Sequence, residues 1–126
     1  TFDADIATAT GAMVALNASD GSVRWQTDVD TFFSAGATVA NDVVFGGGLD
    51  GIVRGFDTAS GAEVWRYQTA AGLIAPFAIA GDLLLVPSGG LFFPTADPPP
   101  PPANELIAFR LGAPGESATP LATPAG

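Results

Sequence analysis

Apolar residues in this chain fall into runs of four to six, each bounded by glycine or aspartate. Runs of that length are too short for buried helices and suit strands. Their content agrees: Val39, Val43, Val44, Phe45, Ile52, Val53, Phe56, Val64, Trp65 and Tyr67 are β-branched or aromatic residues that fit a pleated, half-buried surface. The 16 glycines and 11 prolines weigh against long helices, because glycine costs about 1 kcal/mol and proline about 3 kcal/mol in a helix interior. The pattern predicts an all-β fold of short strands joined by turns.

The runs also repeat. Aligning Trp25 with Trp65 places Gly21 on Gly61, Asn17 on Asp57, Leu16 on Phe56 and Ala15 on Gly55 without a gap, a spacing of 40 residues. Carried forward, the spacing sets residues 39–45 on 79–85, and each segment reads as strand, two-residue polar turn and strand. A period of about forty residues filled by strands is the length of one four-stranded antiparallel propeller blade. A third copy is displaced: Leu106 to Arg110 resembles Val53 to Asp57 at a spacing of 53 residues. The difference is an insertion of about thirteen residues, set at 94–103, with Pro98 to Pro102 inside it. Consecutive prolines donate no ladder hydrogen bonds and favour an extended path, so the insertion is expected on a blade-connecting loop at one face.

Residues 1–112 are therefore expected to form a partial β-propeller of one partial blade, about one complete blade and a final partial blade. From 113 to 126 the chain is rich in Pro, Ala and Thr. Such a segment buries too little to offset an ordering cost of about 1–2 kcal/mol per residue, and a disordered tail is expected.

Each copy of the repeat is a hairpin with an aromatic anchor. A strand turns through Asn17 or Asp57, whose side chain can bond its own downstream backbone, passes Gly21 or Gly61, where positive φ is wanted, and returns to Trp25 or Trp65. An indole in such a place buries about 150–250 Å², worth at most about 4–6 kcal/mol. The spacing of Ala15, Asn17, Gly21 and Trp25, and of Asp57, Gly61 and Trp65, resembles the tryptophan-docking motif of PQQ-repeat propellers, in which each Trp packs between neighbouring blades. Asp20 and Ser60 stand where that motif has threonine, and Gly55 where it has alanine. A longer stretch, residues 40–51 and 65–76, is similar to the C-terminal part of PQQ-dependent alcohol and methanol dehydrogenases, and the resemblance covers about residues 11–111. It implies a larger bacterial parent, exported to the periplasm or cell surface, that carries PQQ and a calcium or lanthanide ion on the propeller axis.

Charge and composition remove several classes of function. Four arginines, no lysine and 13 carboxylates give a net charge of −9, which repels phosphate backbones and anionic lipid, so nucleic acid is not expected as a partner. Without cysteine there is no disulfide, thiolate nucleophile or zinc-thiolate site, and without histidine the commonest general base is missing. No run approaches the roughly 18–20 apolar residues of a membrane-spanning helix. The first residues lack the basic and apolar regions of a signal peptide, and Thr1 reads as an interior residue of something longer.

No catalytic residue can be assigned. The resemblance places the catalytic Asp and the metal-ligating Glu and Asn of the family in earlier blades, so no cofactor is expected within this chain, with PQQ and calcium expected of the intact parent. One cofactor-lining feature transfers: a Gly- and Trp-containing loop whose counterpart here reads Pro87-Ser88-Gly89-Gly90-Leu91-Phe92-Phe93. Gly89 and Gly90 are kept, the Trp is replaced, and Phe92 is the ring that could stack on a quinone. The plainer reading is an apolar loop packing under the proline insertion. Asp3, Asp5, Asp28, Asp30 and Asp50 lack the density of a calcium loop. Asp50-Gly51 reads as a hairpin turn, and Gly46-Gly47-Gly48, lacking a following helix and Lys, as a turn or bulge.

Two classes of function remain. The parent is expected to be an exported quinoprotein dehydrogenase of which this chain is the C-terminal scaffold. The alternative is a non-catalytic propeller of the same repeat class that works as a protein-binding or assembly scaffold. In both, the partners are the remaining blades of the parent or companion chains. A small carbohydrate-binding domain would rest only on aromatics such as Phe32, Phe33, Phe92 and Phe93.

Overall fold

The computed structural model describes residues 5–89, 103–112 and 119–120. After a short 3-10 turn at Ile6–Thr8, the described residues form ten strands: β1 (Gly11–Leu16), β2 (Val23–Val29), β3 (Ala35–Ala40), β4 (Val43–Gly47), β5 (Ile52–Asp57), β6 (Glu63–Gln68), β7 (Ala78–Ala80), β8 (Leu83–Ser88), β9 (Glu105–Arg110) and β10 (Thr119–Pro120). They pair antiparallel into three sheets, in the orders β1-β2, β3-β4-β5-β6 and β10-β9-β8-β7. The middle sheet has four antiparallel strands, consecutive in the chain.

The repeat is visible in the ladder itself. Val43 pairs with Asp57 in the second sheet, and Leu83 pairs with Arg110 in the third, offsets of 40 and 53 residues. The amide of Thr58 donates to Asp42 O at 2.9 Å, and that of Leu111 to Asp82 O at 2.7 Å, again at 40 and 53. The insertion therefore leaves the strand register of the third sheet intact. It falls largely on residues outside those described. So do the residues of the expected tail, apart from Thr119–Pro120, which pair with Arg110 and Phe109.

The polar two-residue turns form where the alternation stops. Asn41 and Asp42 adopt φ of 48° and 63° between β3 and β4, and Gly81 adopts 61° between β7 and β8, the left-handed backbone that a tight hairpin requires.

Two cores lie between the sheets. Met13, Val29, Val44 and Phe56 fill the space between the first and second, with Trp25 and Phe33 against them. Phe45, Val53, Leu73, Leu84, Val86, Ile107 and Phe109 are among those filling the space between the second and third. Alternation along each strand divides the residues: Val44 and Phe56 face back, while Phe45 and Val53 face forward. At 25 cal/mol per Å², burying each large side chain contributes roughly 2–3 kcal/mol as an upper figure.

The glycine run corrects one expectation. Gly46 and Gly47 lie within β4 in regular register with Arg54 and Val53, not at a bulge. A Cβ on Gly46 would stand 2.6 Å from Phe33 Cζ, and one on Gly47 would collide with Leu73 Cδ1. These positions are small because both neighbouring layers press on β4 there. Only Gly48 begins the connection to β5. Asp50-Gly51 forms the expected turn, with Gly51 at φ 74° and its amide bonded to Gly48 O at 3.1 Å.

Candidate functional site

The two ends of the sheets differ in chemistry. One end gathers the hairpin turns. In the first hairpin the amide of Gly21 donates to Asn17 O, and in the second that of Gly61 donates to Asp57 O, both at 2.8 Å. The side chains diverge: Asp57 accepts from the amide of Ala59 at 2.9 Å, as the sequence predicts, whereas Asn17 donates through Nδ2 to Ser22 Oγ at 2.9 Å. Asp20 does the turn-forming work in the first hairpin, accepting from the amide and hydroxyl of Ser22 at 3.0 and 2.7 Å. Those donors, the amide first, hold its carboxyl below the ordinary 3.8.

The first hairpin's return strand reaches across to the second sheet. The Trp25 indole N–H donates to Thr58 O at 2.9 Å, and the Thr27 hydroxyl donates to Gly61 O at 2.5 Å. Gly61 sits at φ 76° directly beneath the indole, so a Cβ there would stand 2.5 Å from Trp25 Cε3. Ala15 pairs with Trp25, as Gly55 pairs with Trp65. Trp65 meets a different surface: it stacks on Tyr67 and stands edge-on to Phe45 and Phe109, with centroids 6.0 and 5.1 Å away. The third copy has Arg110-Leu111-Gly112 where the second has Asp57-Thr58-Ala59, and apolar Leu111 packs against the core between the second and third sheets.

At the other end, the strand connections bond one sheet to the next. The amide of Leu49 donates to Phe32 O at 3.1 Å, and forty residues on that of Gly89 donates to Gly72 O at 3.0 Å. Buried Ser88 and Thr69 join the second and third sheets, Ser88 Oγ donating to Thr69 Oγ1 at 2.8 Å. A groove of about 390 Å³ opens beside them, with Ile74, Ala75 and Pro87 on its apolar side and Asn104 and Glu105 among its polar groups.

The resemblance to quinoproteins makes this groove the place to test for a cofactor. Gly90 and Phe92 lie outside the described residues. Gly89 lines the groove, but the space above its Cα is taken by the Asn104 carboxamide. PQQ is a polycarboxylate, and an anion needs donors and cations to hold it. None of the chain's four arginines lines the groove. Arg54 is buried and binds Asp50 at 2.6 Å, Arg66 binds Glu63 at 2.5 Å, which raises its pKa, and Arg110 pairs with Asp82. Arg24 is exposed on β2. The described residues do not fit an anchor for such a group. Among them, no cluster of acidic side chains is arranged to hold a metal ion, and no helix is long and apolar enough to cross a membrane.

Residues 5–111 match a PQQ-repeat family model described as the outer membrane protein assembly factor BamB. The chain is 34% identical over 67 residues to a quinoprotein ethanol dehydrogenase of Pseudomonas aeruginosa, covering 52% of this chain and 11% of that protein. It is equally similar, 34% over 68 residues with the same coverage, to the quinoprotein alcohol dehydrogenase PedE of Pseudomonas putida. The chain thus spans about a tenth of the length of these relatives. Among solved structures, the quinohemoprotein alcohol dehydrogenase ADHIIG from Pseudomonas putida HK5 superposes with a TM-score of 0.65 at 18% identity, over 94% of this chain and 19% of that one. BamB from Moraxella catarrhalis does so with a TM-score of 0.60 at 26% identity, over 90% and 30%. The sheets are blades of a β-propeller.

Proposed function

The chain belongs to the PQQ-repeat β-propeller family, and from that premise we propose that it is the C-terminal scaffold of an exported bacterial quinoprotein dehydrogenase that oxidises alcohols. The observation that carries this reading is the 34% identity to quinoprotein ethanol dehydrogenase, sustained over 67 residues. Trp25 and Trp65 serve as its docking anchors between blades. The remaining blades of the parent, or companion chains, supply the catalytic groups and the cations that hold the cofactor. PQQ, when bound, takes up the electrons of the alcohol. The residues of this chain bear the ring's structure and carry no step of that chemistry.

The experiment is to incubate the full-length protein with saturating PQQ and calcium. Dye-linked oxidation of a primary alcohol and a rise in melting temperature are expected; no turnover together with no thermal shift removes the reading.

A second reading has its own support. The family model carries the description of an assembly factor, and the likeness to BamB extends over 90% of the chain. On this reading the parent is a non-catalytic propeller that binds proteins. A full-length protein that fails the PQQ experiment and retains an outer-membrane protein at fixed stoichiometry would meet its requirements.

A further inference from the structure

The groove beside Ser88 lies where the repeat breaks. The amides of Leu49 and Gly89 make the same bond forty residues apart, to Phe32 O and Gly72 O, so the two positions are equivalent. Leu49 is only 7% exposed, whereas Gly89 brings no side chain to its place. At the offset of 53, Gly51-Ile52 are replaced by Asn104-Glu105, and Glu105 opens β9 as Ile52 opens β5. Apolar volume is lost and polar groups enter at one point, and the groove of about 390 Å³ lies there. That volume is at the small end of the range for small-molecule sites. Its chemistry is one-sided. Glu105 has one carboxylate oxygen fixed by the Ala70 amide at 3.0 Å, and among the described residues no cation pairs with it. The Asn104 carboxamide lies over Gly89 and bonds to no other described residue.

We propose that this groove binds a small primary amine in its ammonium form, with the nitrogen on Glu105 and Asn104 and the alkyl chain along Ile74, Ala75 and Pro87. The carboxylate attracts the cation, and the carboxylate and carboxamide oxygens accept its N–H bonds. Other ligand classes fit less well. An anion meets the charge of Glu105 and no arginine. A neutral alcohol forgoes the charge-assisted bond, and a quaternary ammonium has no N–H to donate and finds no aromatic ring among the lining residues. The proposal goes beyond the quinoprotein reading, and its test involves neither PQQ nor turnover.

The test titrates the isotope-labelled chain with n-butylammonium chloride at constant ionic strength and follows the Ala70 amide by NMR. A saturable shift is expected, with a midpoint on the order of millimolar for so small a ligand. Butanol and butyltrimethylammonium should bind at least tenfold more weakly, and butyrate should not bind. Glu105→Gln keeps an acceptor for the Ala70 amide and removes the charge, and it should weaken butylammonium at least tenfold. Ile74→Ala, at an exposed position, should weaken butylammonium several-fold and leave methylammonium unchanged. Absence of a saturable shift overturns the proposal, as does butanol binding equal to that of butylammonium or binding unaffected by Glu105→Gln. Tighter binding of Nα-acetyl-lysine methylamide than of butylammonium would assign the groove to a lysyl side chain of a protein and overturn it too.

Discussion

At Gly61 two requirements meet on one atom. The backbone is left-handed, and the position of a Cβ is claimed by Trp25. Gly61→Ala should cost about 1–3 kcal/mol for the backbone alone, and more for displacing the indole. Gly21→Ala carries the same backbone penalty without the contact, since nothing stands near its Cβ position. In chemical denaturation Gly61→Ala should be the more destabilised of the two, and equal losses would show that the indole does not press on Gly61. Trp25→Phe removes the hydrogen bond to Thr58 O and should cost about 1 kcal/mol from that bond, plus the area lost. Asp20 provides a pH test. Its carboxyl is held below the usual value by Ser22, so its contribution is complete above the unfolded-state value of 3.8 and is lost as the pH falls through the lowered folded-state value. A carbon-detected NMR titration should place its midpoint under 3.8, and Ser22→Ala should move it back up.

The elements were the most legible part of the sequence. Strand positions, the Asn41-Asp42 turn and the displaced third copy all follow from period and turn chemistry, because a strand's pattern and a tight turn's backbone are local requirements. Close approach between layers is not local, which is why Gly46 and Gly47 read as turn residues and proved to be strand residues under Phe33 and Leu73. The same reason hid the divided fate of the two indoles. One ring opposing Trp65 comes from the altered third copy, where Phe109 takes the contact. The candidate cofactor loop was legible only through resemblance, and the neighbour that fills the space over Gly89, Asn104, stands 15 residues further along the chain. At this scale, Gly47→Val should destabilise the second sheet by about 1–3 kcal/mol through overpacking against Leu73 and Phe77. A smaller loss in the Gly47→Val, Leu73→Ala double variant than the single losses sum to would identify that contact as the cause.

Across the whole molecule, burial is uneven. β5 is flanked by β4 and β6 and buried along most of its length, whereas among the described residues β1 pairs with β2 alone and leaves Val14 and Leu16 exposed. Local opening should therefore be easiest at the first sheet. Hydrogen exchange should show amides of β1 and β2 exchanging at least ten times faster than those of β5 and β8, and uniform protection would contradict this. Each layer contacts mainly its immediate neighbours, as in other repeat architectures, so losses at one end should not spread evenly to the other.

The two tryptophans also give each seam between layers its own optical reporter. Trp25 packs against the core between the first and second sheets with its N–H on a carbonyl, while Trp65 lies nearly parallel to the Tyr67 ring, 6.4 Å away and 12° off parallel. Emission from a Trp65→Phe variant therefore follows the opening of the first seam alone, and emission from Trp25→Phe follows the second. With no other indole in the chain, the order in which the layers come apart can be followed by light without adding a label.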